Sequence, residues 1–466
     1  MGTEQLERVV HDDRAAKGGK ELSEDVAVGR NGVAVRIRKG ASSGEAGGYR
    51  TYEIHQRMRV QESTEKIQPM SLISPEFAAN PYPTLETLRE NYPCYRDWIG
   101  NSYWITRYDD VTSIFQDDAN YETRPKLWFY DMEDYGRDLR QELPVLFAHA
   151  EGIDNNVEGV AAKVLTDIAG KGEADLALDF AARIPMELWA RVLDLPEADF
   201  DKFVHLYWRM QRGYHWEPET QRDGREAIRE MTALLKPLFD KRKSDPGEDM
   251  ISAIATMEVE GKPTTVEDVV VTVLEHDHET LHGGLANMLY LLLEHPDQLH
   301  WVNDERRMVR YAWAEMLRHS TPVLQAYRFA KHEVERFGRL LPEGAMLVCS
   351  AAAGNRDPRV YNDPDKFIVG RKDLCQREPR GHYRADGLPA GIAFGLGQPS
   401  KFPALPEDRP RSLYAITRDT AVTVTNMLLD SLPNLRMKQE AEPSLRSLRV
   451  GEMHTCWHLP VKFDAK

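Results

Sequence analysis

Phe394-Gly395-Leu396-Gly397-Gln398-Pro399-Ser400-Lys401-Phe402-Pro403 follows directly on the apolar run Gly391-Ile392-Ala393. Two glycines one residue apart, straight after apolar residues, let the backbone come close to something flat or bulky. A lone ammonium, Lys401, stands four residues past the second glycine. Pro399, Pro403, Pro406 and Pro410 then lie between Gly397 and the next helical pattern, about Thr417 to Ser431. Whatever this turn was shaped to approach, its far end now carries a cation among prolines.

Outward from that turn, helical periodicity dominates residues 155 to 319. Its clearest element runs from Thr264 to His295. The overlapping pairs Thr264 with Glu267 and Thr265 with Asp268 form capping boxes at its start, and Pro296 stops it. About 30 residues at about 1.5 Å each predict a rod of roughly 45 Å. A rod that long and apolar must cross the body of a domain. Its middle reads His276-Asp277-His278-Glu279-Thr280-Leu281-His282. A second helix around Trp313 to His319 carries Glu315-Met316-Leu317-Arg318, whose charged ends are i, i+3 neighbours on one face. Strands are expected at Tyr103–Tyr108, around Met346–Cys349 and at Leu459–Phe463. The whole reads as mostly α with a small β region. Residues 1–65 are polar and broken by glycines, a disordered or partner-binding extension with one strand-like run, Val33–Arg38. Residues 66–466 form the globular domain.

Composition narrows the function. A net charge of −15 argues against nucleic acid or an anionic membrane as the main partner. Four scattered cysteines, without CxxC spacing, suit a reducing compartment and exclude a disulfide framework or zinc ribbon. No run of about 18 apolar residues offers a membrane span, and the start lacks the apolar core of a signal peptide. A cytoplasmic protein of bacterial type is expected.

Four landmarks, in order, resemble the cytochrome P-450 family of haem-thiolate monooxygenases. They are Glu279-Thr280 mid-way along the long helix; the ExxR motif, Glu315 to Arg318; Ala353-Gly354-Asn355-Arg356-Asp357-Pro358 with Asn362 to Phe367 and Arg371; and Phe394-Gly395-Leu396-Gly397. The resemblance covers about Pro81 to Phe463 and implies a P-450-like fold. It also shows what has changed. The family's loop reads Phe-Gly-x-Gly-x-His-x-Cys-x-Gly. Here the histidine position is Pro399, the thiolate position Lys401 and the closing glycine Pro403. A His-x-x-x-Arg clamp on a haem propionate corresponds to Gly136-Arg137-Asp138-Leu139-Arg140, leaving Arg140 and Arg328 to meet propionates. An ammonium does not replace a soft thiolate as the electron-pushing ligand.

On this reading no cofactor is expected: the chain is a haem-free pseudoenzyme of small-molecule metabolism, missing its cysteine ligand. It would bind a hydrophobic small molecule and act as an accessory to a partner enzyme. Haem held another way, through His276 or Lys401, is the alternative on the cofactor side. A second reading is a repurposed enzyme performing hydrolysis, isomerisation or cyclisation. There His276 is the general base, Asp277 its orienter, Thr280 a hydroxyl relay and Lys401 an electrostatic stabiliser. The bland counterpart is that His276 and Asp277 plug a vacated hole with hydrogen-bonded side chains. A third reading takes His278-Glu279-Thr280-Leu281-His282 as HExxH, with His278 and His282 on one face as zinc ligands. No third ligand is obvious, and a pair of core histidines is the alternative.

Overall fold

The structure, a computed structural model, describes Val26–Val28, Ala34–Arg36 and residues 66–139 (68 excepted), 144–214, 218–275, 278–376, 387–393, 413–447 and 453–465. The helices that carry the argument are α1 (Tyr82–Asn91), α2 (Lys126–Phe129), α3 (Pro144–Ala169), α4 (Phe200–Gly213), α5 (Pro218–Ser244), α6 (Val266–Glu275), α7 (His278–Glu294), α8 (Met308–His319) and α9 (Leu413–Ser431). A five-stranded sheet lies beside them, built from β1 (Tyr95–Asp97), β2 (Ser102–Ile105), β3 (Tyr121–Glu122), β4 (Gln325–Ala330) and β5 (Met346–Ser350). Its order is β1-β2-β5-β4-β3, with the β2–β5 pair parallel and the others antiparallel. The expected mostly helical architecture with minor sheet is what the chain adopts. Of the extension, Val26–Val28 pairs with Ala34–Arg36 as a small antiparallel hairpin.

The long apolar element is described as two helices, α6 and α7, with His276 and Asp277 between them outside the described residues. Asp268 makes the expected reciprocal cap, accepting from the Thr265 backbone N–H at 2.8 Å. Thr264 does not cap; its hydroxyl donates to the Ile254 carbonyl. Beyond Glu279 and Thr280, α7 buries Leu281, Leu285, Ala286, Met288, Leu289, Leu291 and Leu292 in one core with Trp313 and Met316 of α8 and Val424 and Leu428 of α9. Gly284 makes the α7–α8 approach possible: a Cβ there would lie 2.5 Å from the Trp313 ring. Asn287, fully buried, donates to the Ser320 and His454 carbonyls and accepts from the Thr455 hydroxyl and the Cys456 N–H. All four of its hydrogen-bonding capacities are used, so its polarity costs the core little.

Candidate functional site

The ExxR network is complete. Arg318 grips Glu315 through Nε and Nη2, both at 2.8 Å, with neither side chain reached by solvent. Its remaining N–H groups donate to the carbonyls of Asn355, Pro364 and Lys366. Arg371 adds a third charge, its Nε 3.2 Å from Glu315. The network fastens residues 355–371 onto α8, and through them the approach to the Phe394 turn. The turn itself, including Lys401, lies outside the described residues, as do Arg140, His276, Asp277 and the side chain of His278.

Glu279 and Thr280 are buried on the first turn of α7. Around them α2, α4 and α6 close with polar contacts. Lys126 of α2 places Nζ 3.9 Å from Glu279 Oε2 and donates to Gln211 Oε1 at 3.0 Å. Gln211 of α4 in turn donates to the Leu274 carbonyl of α6 at 3.1 Å. Glu275, the last residue of α6, accepts from the Leu127 N–H at the start of α2. Tyr130 donates to the Met210 carbonyl, and burial, then the Glu275 and Glu279 charges, push its hydroxyl well above the usual tyrosine range. Next to this polar knot lies an aromatic wall. Phe129 meets Tyr214 with ring centroids 4.6 Å apart and Tyr327 of β4 at 5.8 Å. Nothing in the sequence pointed to Lys126 or Gln211, since elements far apart in the chain bring them together.

His282 is fully buried, edge-on to Trp208 at 5.4 Å and Trp457 at 6.0 Å. Burial pushes its pKa down to about 3. That is the surrounding of a core histidine. Among the described residues no group of three His, Cys, Asp or Glu side chains is arranged to hold a metal ion.

For haem, the chain fits at one point and departs at another. Arg328 on β4 is a buried guanidinium, lying over the Phe115 ring at 4.6 Å and donating one N–H to the Tyr327 carbonyl. A buried cation there suits a carboxylate-bearing group. Gly136 does not serve as a clamp. A Cβ at that position would lie 2.8 Å from the Glu267 backbone, so no histidine fits. Its neighbour Arg137 is spent on Asp268, through Nε at 3.1 Å and Nη2 at 2.6 Å, and on the Val259 and Pro263 carbonyls.

No protein-family model matches the chain. Among curated proteins it is 25% identical over 396 residues to pulcherriminic acid synthase of Bacillus subtilis, covering 81% of this chain and 94% of that one. It is 28% identical to the cytochrome P450 monooxygenase PikC of Streptomyces venezuelae, over 73% and 86% of the two chains. Among solved structures it is similar to P450BioI in complex with a ligated acyl carrier protein, at TM-score 0.67 and 22% identity, covering 84% of this chain and all of that one. The bacillaene synthase P450 PksS of Bacillus subtilis matches at TM-score 0.66 and 20% identity over 85% of this chain.

These likenesses correct two expectations. No cofactor was expected, and a haem-free pseudoenzyme; yet the proteins matched over most of the chain are cytochromes P450, haem enzymes with monooxygenases among them. Nothing favours the accessory, hydrolytic or zinc readings in their place. No helix among the described residues is long and apolar enough to cross a membrane. In sequence the chain is similar to cytochromes P450 over most of its length, and it has their fold.

Proposed function

We propose that this chain is a haem-binding oxidoreductase of the P450 type acting on a hydrophobic small molecule, with a nitrogen of the chain as the iron ligand in place of the family's thiolate. The observation that carries the reading is the Glu279–Thr280 pair, which stays polar and buried on the first turn of α7, with Lys126 brought to it from another element. A carboxylate kept in a core is costly unless it is partnered, and its removal from water is justified where protons are handled.

Haem, when bound, would supply the oxygen-activating chemistry. Arg328, with Arg140, would hold its propionates, and Lys401 would ligate the iron as a neutral amine, with His276 the other nitrogen candidate. The chain's own part is to bind the substrate against the Phe129, Tyr214 and Tyr327 rings. Glu279 would hold a proton at its carboxylate, and the Thr280 hydroxyl would pass it on.

The test is reconstitution of the purified protein with haem, read by absorption and by the reduced, carbon monoxide-bound difference band. One haem per chain is expected, with the band at the position of nitrogen ligation. Lys401→Cys should move it to the thiolate position, and Arg328→Ala should weaken haem retention at least tenfold, the effect of about 1.4 kcal/mol. A protein that takes up no haem under any of these conditions overturns the proposal.

A further inference from the structure

We infer that Lys126 is a positioning residue for Glu279: α2 delivers its ammonium to the carboxylate, and Gln211 sets where that ammonium stands. The inference deepens the proposed function, because it assigns a task to the acid that reading uses.

Three observations lead here. Lys126 is nearly buried, with its side chain 13% exposed, so its long stem gives up rotamer freedom to stay inside. The Gln211 amide is held from both ends, by the Leu274 carbonyl on one side and by Lys126 on the other. Its oxygen therefore has one orientation open, facing the ammonium. The Tyr214 ring lies 5.5 Å from the same nitrogen and favours a cation over its face. All three place the charge 3.9 Å from Glu279 Oε2, within range of a strong Coulomb interaction but beyond a direct hydrogen bond. That separation leaves the carboxylate attracted and oriented by Lys126 without a direct hydrogen bond from the ammonium. Glu275 has a different task, since it accepts from the Leu127 N–H and anchors the start of α2. The Tyr130 hydroxyl, just past α2, feels the charges of both Glu275 and Glu279, and the Tyr214 ring lies by the Lys126 ammonium.

The experiment uses the full chain with no haem added, and compares the pH dependence of the melting temperature among Lys126→Met, Lys126→Arg, Glu279→Gln and the Lys126→Met/Glu279→Gln double variant. The attraction between Glu279 and Lys126 contributes only while the carboxylate is ionised, so it enters the pH dependence of stability. Buried histidines give every variant a common acid slope, so only differences between variants count. Lys126→Met and Glu279→Gln should remove the same part of the pH dependence, the double variant should remove no more than either single one, and Lys126→Arg should restore the parent profile. Additive single effects, or an arginine variant no better than methionine, would overturn the inference. A coupled pair in a chain that takes up no haem would leave this inference standing while the proposed function fell.

Discussion

Arg318 has five N–H groups and uses all five, two on Glu315 and three on carbonyls of the loop after β5. Removing it strands a carboxylate in the interior. Arg318→Ala is therefore expected to cost about 3–5 kcal/mol in denaturant unfolding, more than a surface charge pair ever contributes. A second prediction concerns histidine. Burial holds His282 at about 3 and His454 at about 4, both far below their ordinary 6.5. Below pH 6.5 the unfolded chain gains protons that the folded chain refuses. Stability should therefore fall on acidification from about pH 6.5 toward pH 4, by about 1.4 kcal/mol per pH unit for each histidine. His282→Phe should flatten its share of that slope, as read by melting curves across pH; an unchanged slope would show that His282 titrates normally. At this scale the ExxR charges were legible because i, i+3 spacing and a distant arginine predict one another. His282 was legible only as one half of two patterns, and the two tryptophans beside it, far away in the chain, were not legible at all.

Among elements, the contact between α7 and α8 turns on a glycine with an ordinary helical role in the sequence. Gly284→Ala drives a methyl group into the Trp313 indole, a rigid ring that cannot move aside in a filled core. We expect a loss of about 1–3 kcal/mol despite the better helix propensity of alanine. A variant as stable as the parent would mean that α7 and α8 can slide apart. The ends of α8 and α9 and the place of β5 followed from periodicity, while α8 starts at Met308 rather than near Trp313 and α9 at Leu413 rather than near Thr417. The start of α6 did so too, since its cap lies within four residues of chain. The way α2 and α4 close on α6 did not, because one lysine and one glutamine in polar company look like surface residues until the fold brings them together.

For the molecule as a whole, order of landmarks was the strongest signal, and it led to the right architecture. The cofactor expectation went wrong by letting one position, Lys401, outweigh a likeness that extends over most of the chain. A site that binds haem only in the folded state raises the melting temperature with haem concentration. At a hundredfold excess over the dissociation constant the gain is about 2.7 kcal/mol. Titration calorimetry or melting curves with added haem should show that rise in the parent and a smaller one in Arg328→Ala.

The bond pattern of Arg318 bears on how the chain is made. Its first loop partner, Asn355, is 37 residues further on, so α8 leaves the ribosome while that loop is still being synthesised. Until the loop arrives, the arginine and its glutamate rest in water at little cost. Docking of residues 355–366 then helps to take them out of solvent. A truncation in that interval would thus leave the latch open, a state exposed to proteases.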